Sequence, residues 1–174
     1  SDFAIKNNVE LLTEYARLCQ AAHIVPIVEP EVLMTGKHTI EKCYEVSIRV
    51  QTALFAALQT KQVDVAAMLL KPNMVLSGSD APVDAPRVVA AYTLSCLQLT
   101  APTNLAGVVF LSGGQADAQA VANLRAIAVE GTDAAWPLTY SFGRALQTET
   151  LAIWRGQAEN VVTAQKTYTA QAQR

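Results

Sequence analysis

The stretch Val65–Val75, VAAMLLKPNMV, holds one charge in eleven residues, at Lys71, and its apolar run stops at Pro72-Asn73. A short continuous apolar run, without alternation of apolar and polar positions, suits a strand walled on both faces, as in a parallel sheet flanked by helices. An ammonium is costly to desolvate in such a place, and the neutral amine that burial favours is a nucleophile. Taken alone, the run favours a plainer reading, a strand-end lysine that snorkels into solvent. The remainder of the chain reverses that preference.

At 174 residues the chain is long enough for one domain with a real core. A formal net charge of −2 offers no electrostatic case for nucleic acid or an anionic membrane. No stretch approaches the ~20 apolar residues of a membrane span, and the start, Ser1-Asp2-Phe3, predicts no signal peptide. Cys19, Cys43 and Cys96 are widely spaced and form no CxxC pair, so they read as reduced thiols within helices, with no zinc site. Charged residues are 16% against 51% hydrophobic, where about 25% charged is usual. That balance suits a piece that buries much of its outside against something else.

Apolar spacing predicts a helix over Asn7–Ala22, with Asn7 or Asn8 as N-cap, and a strand over Ile24–Val28 ending in Glu29-Pro30-Glu31. A long helix follows over Thr39–Thr60, capped by Thr39, with a stripe of Val46, Val50, Ala53, Ala57 and Leu58. Strands are predicted at Val63–Leu70, Gly107–Leu111 and Trp136–Tyr140, and helices at Arg87–Leu99, Asp117–Val129, Ala145–Trp154 and Ala158–Gln171. A helix followed by four β–α units means an α/β protein with a parallel sheet, and four units make half of an eight-fold (β/α) barrel.

The chemically interesting residues fall at strand ends, where such barrels place their active sites. Glu29, held beside a proline, is suitably placed to shuttle protons, and Glu31 either shares that role or faces outward. On its own Glu29 reads better as a loop glutamate paired with a basic residue. Ser112-Gly113-Gly114 can turn its N–H groups toward one spot ahead of a helix N-terminus, and Ser141-Phe142-Gly143-Arg144 repeats the device with a guanidinium. A lone Gly-Gly is ordinary turn chemistry. Two small-residue loops after consecutive strands tilt the reading toward a phosphate site. His23 and His38 read as loop or cap residues, and Trp136 and Trp154 as packing aromatics.

Taken together, YARLCQ, VPIVEPEVL, GKHTIEKCYEV, LLKPNMV, FLSGGQ, SFGRALQ and WRGQAENVVTAQ closely resemble class I fructose-bisphosphate aldolase, in order and along nearly the whole chain. The resemblance implies a (β/α)8 TIM barrel of which residues 1–174 are the C-terminal half, from the fourth helix onward. It implies a cytoplasmic lyase of glycolysis and gluconeogenesis that cleaves fructose 1,6-bisphosphate to dihydroxyacetone phosphate and glyceraldehyde 3-phosphate. No metal or cofactor is needed. By position, Lys71 matches the Schiff-base lysine, Glu29 the glutamate that handles protons with Glu31 beside it, and Ser112, Gly113, Gly114, Ser141, Gly143 and Arg144 the substrate-phosphate cradle. The implied partners are a phosphorylated ketose, the N-terminal barrel half or another copy of the chain, and further subunits of a homotetramer. The other half would supply an aspartate, two lysines and a second phosphate-binding arginine, and a tail with a catalytic tyrosine lies outside the sequence. Val65-Ala66-Ala67-Met68 stands where the family usually has Leu-Glu-Gly-Thr, Gln98-Leu99 where an arginine is expected, and Thr35-Gly36 where Asp-Gly is. These departures leave open a divergent branch, a weakened enzyme or an inexact sequence. The alternatives to an enzyme are a non-catalytic sugar-phosphate-binding protein on the same half-barrel and a structural half-barrel that dimerises.

Overall fold

A computed structural model describes residues 1–173. In chain order it contains α1 (Asp2–Ala21), β1 (Ile27–Val28), α2 (Ile40–Thr60), β2 (Leu69–Leu70), α3 (Pro86–Thr100), β3 (Gly107–Phe110), α4 (Asp117–Glu130), β4 (Leu138–Tyr140), α5 (Arg144–Trp154) and α6 (Val161–Ala172). The four strands form one parallel sheet in the order β1-β2-β3-β4. Ile27 pairs with Leu69 and Leu69 with Gly107, while Val28, Leu70, Val108 and Leu138 follow one another across the sheet. Helices α1 to α4 pack each against the next, and α5 packs on α6. This is the expected half of a (β/α) barrel.

The core lies between sheet and helices. Val28, Leu70, Val108 and Phe110 are fully buried there with Leu54, Leu58, Val89, Leu97 and Ile127 from the helices. Trp136 belongs to this core, its indole N–H donating to the Pro102 carbonyl at 2.6 Å. The opposite sheet face is less well covered: Ile27 is 40% exposed and Leu69 is half-buried. The apolar run around Lys71 is therefore not walled on both faces by this chain alone. Tyr15 and Leu18 of α1 and Ile24, Val25 and Ile27 leading into β1 add to the exposed apolar surface, which accounts for the low share of charge.

Several boundaries differ from the sequence expectation, each for a local reason. Helix α1 begins at Asp2, not near Asn7, because the Ser1 hydroxyl accepts from the Ala4 N–H. The strand expected over Val63–Leu70 shrinks to two residues. Asp64 caps a 3-10 turn at Val65–Ala67, and the Gln20 amide pins that turn by donating to the Asp64 and Ala67 carbonyls and accepting from the Asp64 N–H. Side-chain bonds to the backbone displace the sheet ladder here. With so short a partner, β1 pairs only at Ile27 and Val28. In α2 the cap is Thr39, as expected, but the fully buried face runs through Cys43, Ser47, Gln51, Leu54 and Leu58. Ala53 and Ala57 turn instead toward the groove shared with α1. The polar members of that buried face are satisfied: Gln51 accepts from the Thr100 hydroxyl at 2.8 Å.

Candidate active site

The β1–β2 ladder continues one residue past each strand, since the Lys71 N–H donates to the Val28 carbonyl at 2.8 Å. That register sets Glu29 and Lys71 side by side at the carboxyl edge of the sheet. The Lys71 ammonium Nζ lies 3.3 Å from Glu29 Oε1, with the lysine side chain 19% exposed and the glutamate 49%. Lys71 is thus not the solitary ammonium that the apolar run suggested. An ion pair this open contributes little to stability. Its geometry does suit passage of a proton between amine and carboxylate.

Pro30 makes the chain turn sharply, with the Glu31 N–H donating to the Glu29 carbonyl. The Asn73 side chain, two residues after Lys71, then accepts from the Val32 N–H at 2.8 Å and donates to the Met74 carbonyl. One buried amide therefore ties the loop that carries the two glutamates to the loop that follows the lysine. The sequence reading did not single out Asn73. It stood in the LLKPNMV motif, but an asparagine after a proline reads first as turn chemistry.

Beyond β3, Gly113 and Gly114 adopt φ of +60° and +83°, left-handed values that a residue with a Cβ takes at a cost. A methyl group on Gly114 would lie 3.8 Å from Arg144 Nη2 and 3.9 Å from the Met34 sulfur, and one on Gly113 would lie 3.9 Å from Glu31 Oε1. The turn is thus flanked by the guanidinium on one side and the second carboxylate on the other. The β3–β4 ladder extends to Ser141, whose N–H donates to Phe110, and α5 starts directly at Arg144. Helices α4 and α5 both start without a side-chain cap, leaving backbone N–H groups of their first turns for solvent or a ligand. The sheet edge thus carries an amine–carboxylate pair at β1 and β2, and a donor-rich turn with a guanidinium at β3 and β4.

The cysteines lie behind this chemistry: the Asn73 amide donates to Cys43 Sγ at 3.9 Å. Burial pushes the Cys96 thiol up to about 12 and raises Cys43 as well, which disfavours the nucleophilic thiolate in both. Both are free thiols inside the core, and Cys19 is a free, half-buried thiol on α1.

Comparison with known proteins agrees with this architecture. The family model described as fructose-bisphosphate aldolase class-I matches residues 1–174. Cytosolic fructose-bisphosphate aldolase 5 of Arabidopsis thaliana is 48% identical over 168 residues, which are 97% of this chain and 47% of that protein. The fructose-bisphosphate aldolase of Dictyostelium discoideum is 44% identical over 169 residues, again 97% of this chain and 47% of the relative. Among solved structures, the fructose-bisphosphate aldolase of Plasmodium falciparum, in a ternary complex with TRAP and a small-molecule inhibitor, superposes with a TM-score of 0.96. It is 42% identical, and the match covers 99% of this chain and 50% of that one. The chain therefore spans about half the length of these relatives. With its parallel half-barrel and a family match along its whole length, the chain belongs to the class I fructose-bisphosphate aldolases.

Proposed function

We propose that the protein containing this chain is a Schiff-base aldolase that reversibly cleaves fructose 1,6-bisphosphate to dihydroxyacetone phosphate and glyceraldehyde 3-phosphate in the cytoplasm. The observation that carries this reading is the Lys71–Glu29 pair at 3.3 Å on adjacent strand ends of an aldolase half-barrel. Lys71 attacks the substrate ketone, and Glu29, with Glu31 close by, moves the proton that lets the carbinolamine lose water. The iminium so formed draws electrons from the adjacent C–C bond and allows it to break. Ser112, Gly113, Gly114, Ser141, Gly143 and Arg144 hold a substrate phosphate through backbone N–H groups and the guanidinium. The test is borohydride reduction in the presence of fructose 1,6-bisphosphate or dihydroxyacetone phosphate, followed by peptide mapping. The adduct is expected on Lys71, and labelling of any other lysine in its place overturns the assignment.

Arg144→Ala is expected to weaken binding of phosphorylated substrate by about 1.5–3 kcal/mol, the worth of a charged hydrogen bond. A KM and a phosphate inhibition constant equal to the wild-type values would refute the cradle.

The same reading supplies a partner. β1 and β4 are the outer strands of the sheet, and an unpaired strand edge is a template for further pairing. Ile24, Val25 and Ile27 lie exposed beside the first of those edges. The occupant is the N-terminal barrel half, or a second copy of the chain where that half is missing, and the complete enzyme assembles as a homotetramer. Light scattering of residues 1–174 expressed alone is expected to show dimers or larger species. A dispersed monomer with aldolase activity would contradict this.

A further inference from the structure

The turn after β3 rests on a chain of buried amides that the chemistry above does not use. The Gln115 side-chain Nε2 donates to the Ser112 carbonyl at 2.9 Å, and the Gln115 backbone N–H donates to the same oxygen at 3.1 Å. Nε2 also lies 3.7 Å from the Met74 sulfur, on the loop that leaves Lys71. Behind Gln115, Asn123 of α4 donates its Nδ2 to Gln115 Oε1 at 2.7 Å. Gln115 is 7% exposed and Asn123 is completely buried.

The polarity of this chain is forced from one end. The Ser112 carbonyl can only accept, so Gln115 must aim its NH2 at the turn and its oxygen at α4. Asn123 must then present its own NH2, which leaves Asn123 Oδ1 buried with no hydrogen-bond partner among the described residues. An orphaned acceptor in a dry core is a cost, and a residue of the same size without polar atoms would avoid it. What Asn123 supplies in return is the orientation of Gln115. Gln115 in turn fixes the Ser112 peptide, immediately before two glycines whose left-handed backbone would otherwise have wide freedom.

We propose that Gln115 and Asn123 are positioning residues for phosphate recognition: the Asn123–Gln115–Ser112 relay locks the Ser112–Gly114 turn in the shape that presents its N–H groups to the substrate. This inference rests on the reading of that turn as a phosphate site. Neither side chain touches the substrate. Their removal loosens the turn without disturbing the Lys71–Glu29 pair, so it acts on binding and spares the imine chemistry.

The experiment uses the full-length protein with Asn123→Leu, Gln115→Leu and the double variant. Asn123→Ser is a fourth protein that avoids the larger side chain. For each, KM and kcat with fructose 1,6-bisphosphate, the inhibition constant of inorganic phosphate and Tm are measured. Each single substitution is expected to raise KM and the phosphate constant about tenfold while kcat changes less than about threefold. The Tm of Asn123→Leu is expected to be unchanged or higher, because the orphaned oxygen goes with the amide. The double variant is expected to be about as impaired as one single variant, since either break opens the same relay. Wild-type KM and phosphate constants in Asn123→Ser and Gln115→Leu would overturn the inference alone, as would a loss of Tm with no change in KM. A wild-type protein that forms the Lys71 adduct but is not inhibited by phosphate would overturn the phosphate site and this inference with it. Failure to form the adduct at all would instead strike the proposed reaction.

Discussion

Lys71→Met is expected to abolish both the borohydride-trapped adduct and turnover, with kcat falling by about three orders of magnitude or more. The nitrogen is the atom that would become covalent with substrate, so no neighbour can substitute for it by electrostatics alone. Methionine keeps most of the length and volume of the lysine stem. The side chain lies against the edge of the sheet, and its ammonium makes one half-exposed ion pair with Glu29. Losing that pair should cost folding only up to about 1 kcal/mol. The expected outcome is therefore a folded protein whose urea midpoint falls by no more than about 1 M, with retained phosphate binding and no activity. Residual turnover within tenfold of wild type would mean that another amine carries the reaction.

Gly78→Ala is the substitution expected to damage the fold most. A Cβ on Gly78 would sit 2.2 Å from the Gly36 carbonyl oxygen and 2.7 Å from its carbon. Both are backbone atoms, so no side-chain rotation relieves the overlap. The two loops must part, and three backbone hydrogen bonds hold them together: Gly78 N–H to His38, Ser79 N–H to Met34 and Asp80 N–H to Gly36. A loss of about 3 kcal/mol or more in unfolding free energy is expected. Met34 shares this loop pair and lies beside the Gly114 turn, so KM for phosphorylated substrate should rise as well. The contrast is Gly143→Ala, where a Cβ meets nothing within 4 Å and stability should move by no more than about 0.5 kcal/mol. Equal unfolding midpoints for the Gly78 variant and wild type would show that the loops separate without cost.

Much of this candidate site is legible in the sequence, because its residues stand where local signals change. Lys71 and Glu29 each follow an apolar run, Ser112-Gly113-Gly114 and Ser141-Phe142-Gly143-Arg144 follow two more, and the alternation of strands and helices requires all four ends to share one edge. The relay is a different matter. Asn123 is a single polar residue in a helical repeat, and nothing along the chain indicates that it faces inward toward Gln115. Gly78 reads as one more loop glycine until Gly36, far earlier in the chain, lies against it. The apolar stripe of α2 is also displaced, because Ser47 and Gln51 find partners inside and take places that hydrophobicity alone would assign to Val46 and Val50.

Local chemistry by itself determined the order of elements, the parallel sheet, the Thr39 cap and which residue types stand at each strand end. Those follow from apolar period, turn residues and capping, which act over a few positions. Tertiary structure alone decided how long each strand is, which carboxylate meets Lys71, and which buried amides brace the turns. Strand length was cut where Gln20, at the far end of α1, bound the backbone around Asp64 more favourably than a sheet ladder did. The Lys71–Glu29 contact depends on the register of β1 against β2, and register is a property of two segments together. Hydrogen-bond partners far apart in sequence are chosen by packing, and only the folded chain brings them within 3 Å of one another.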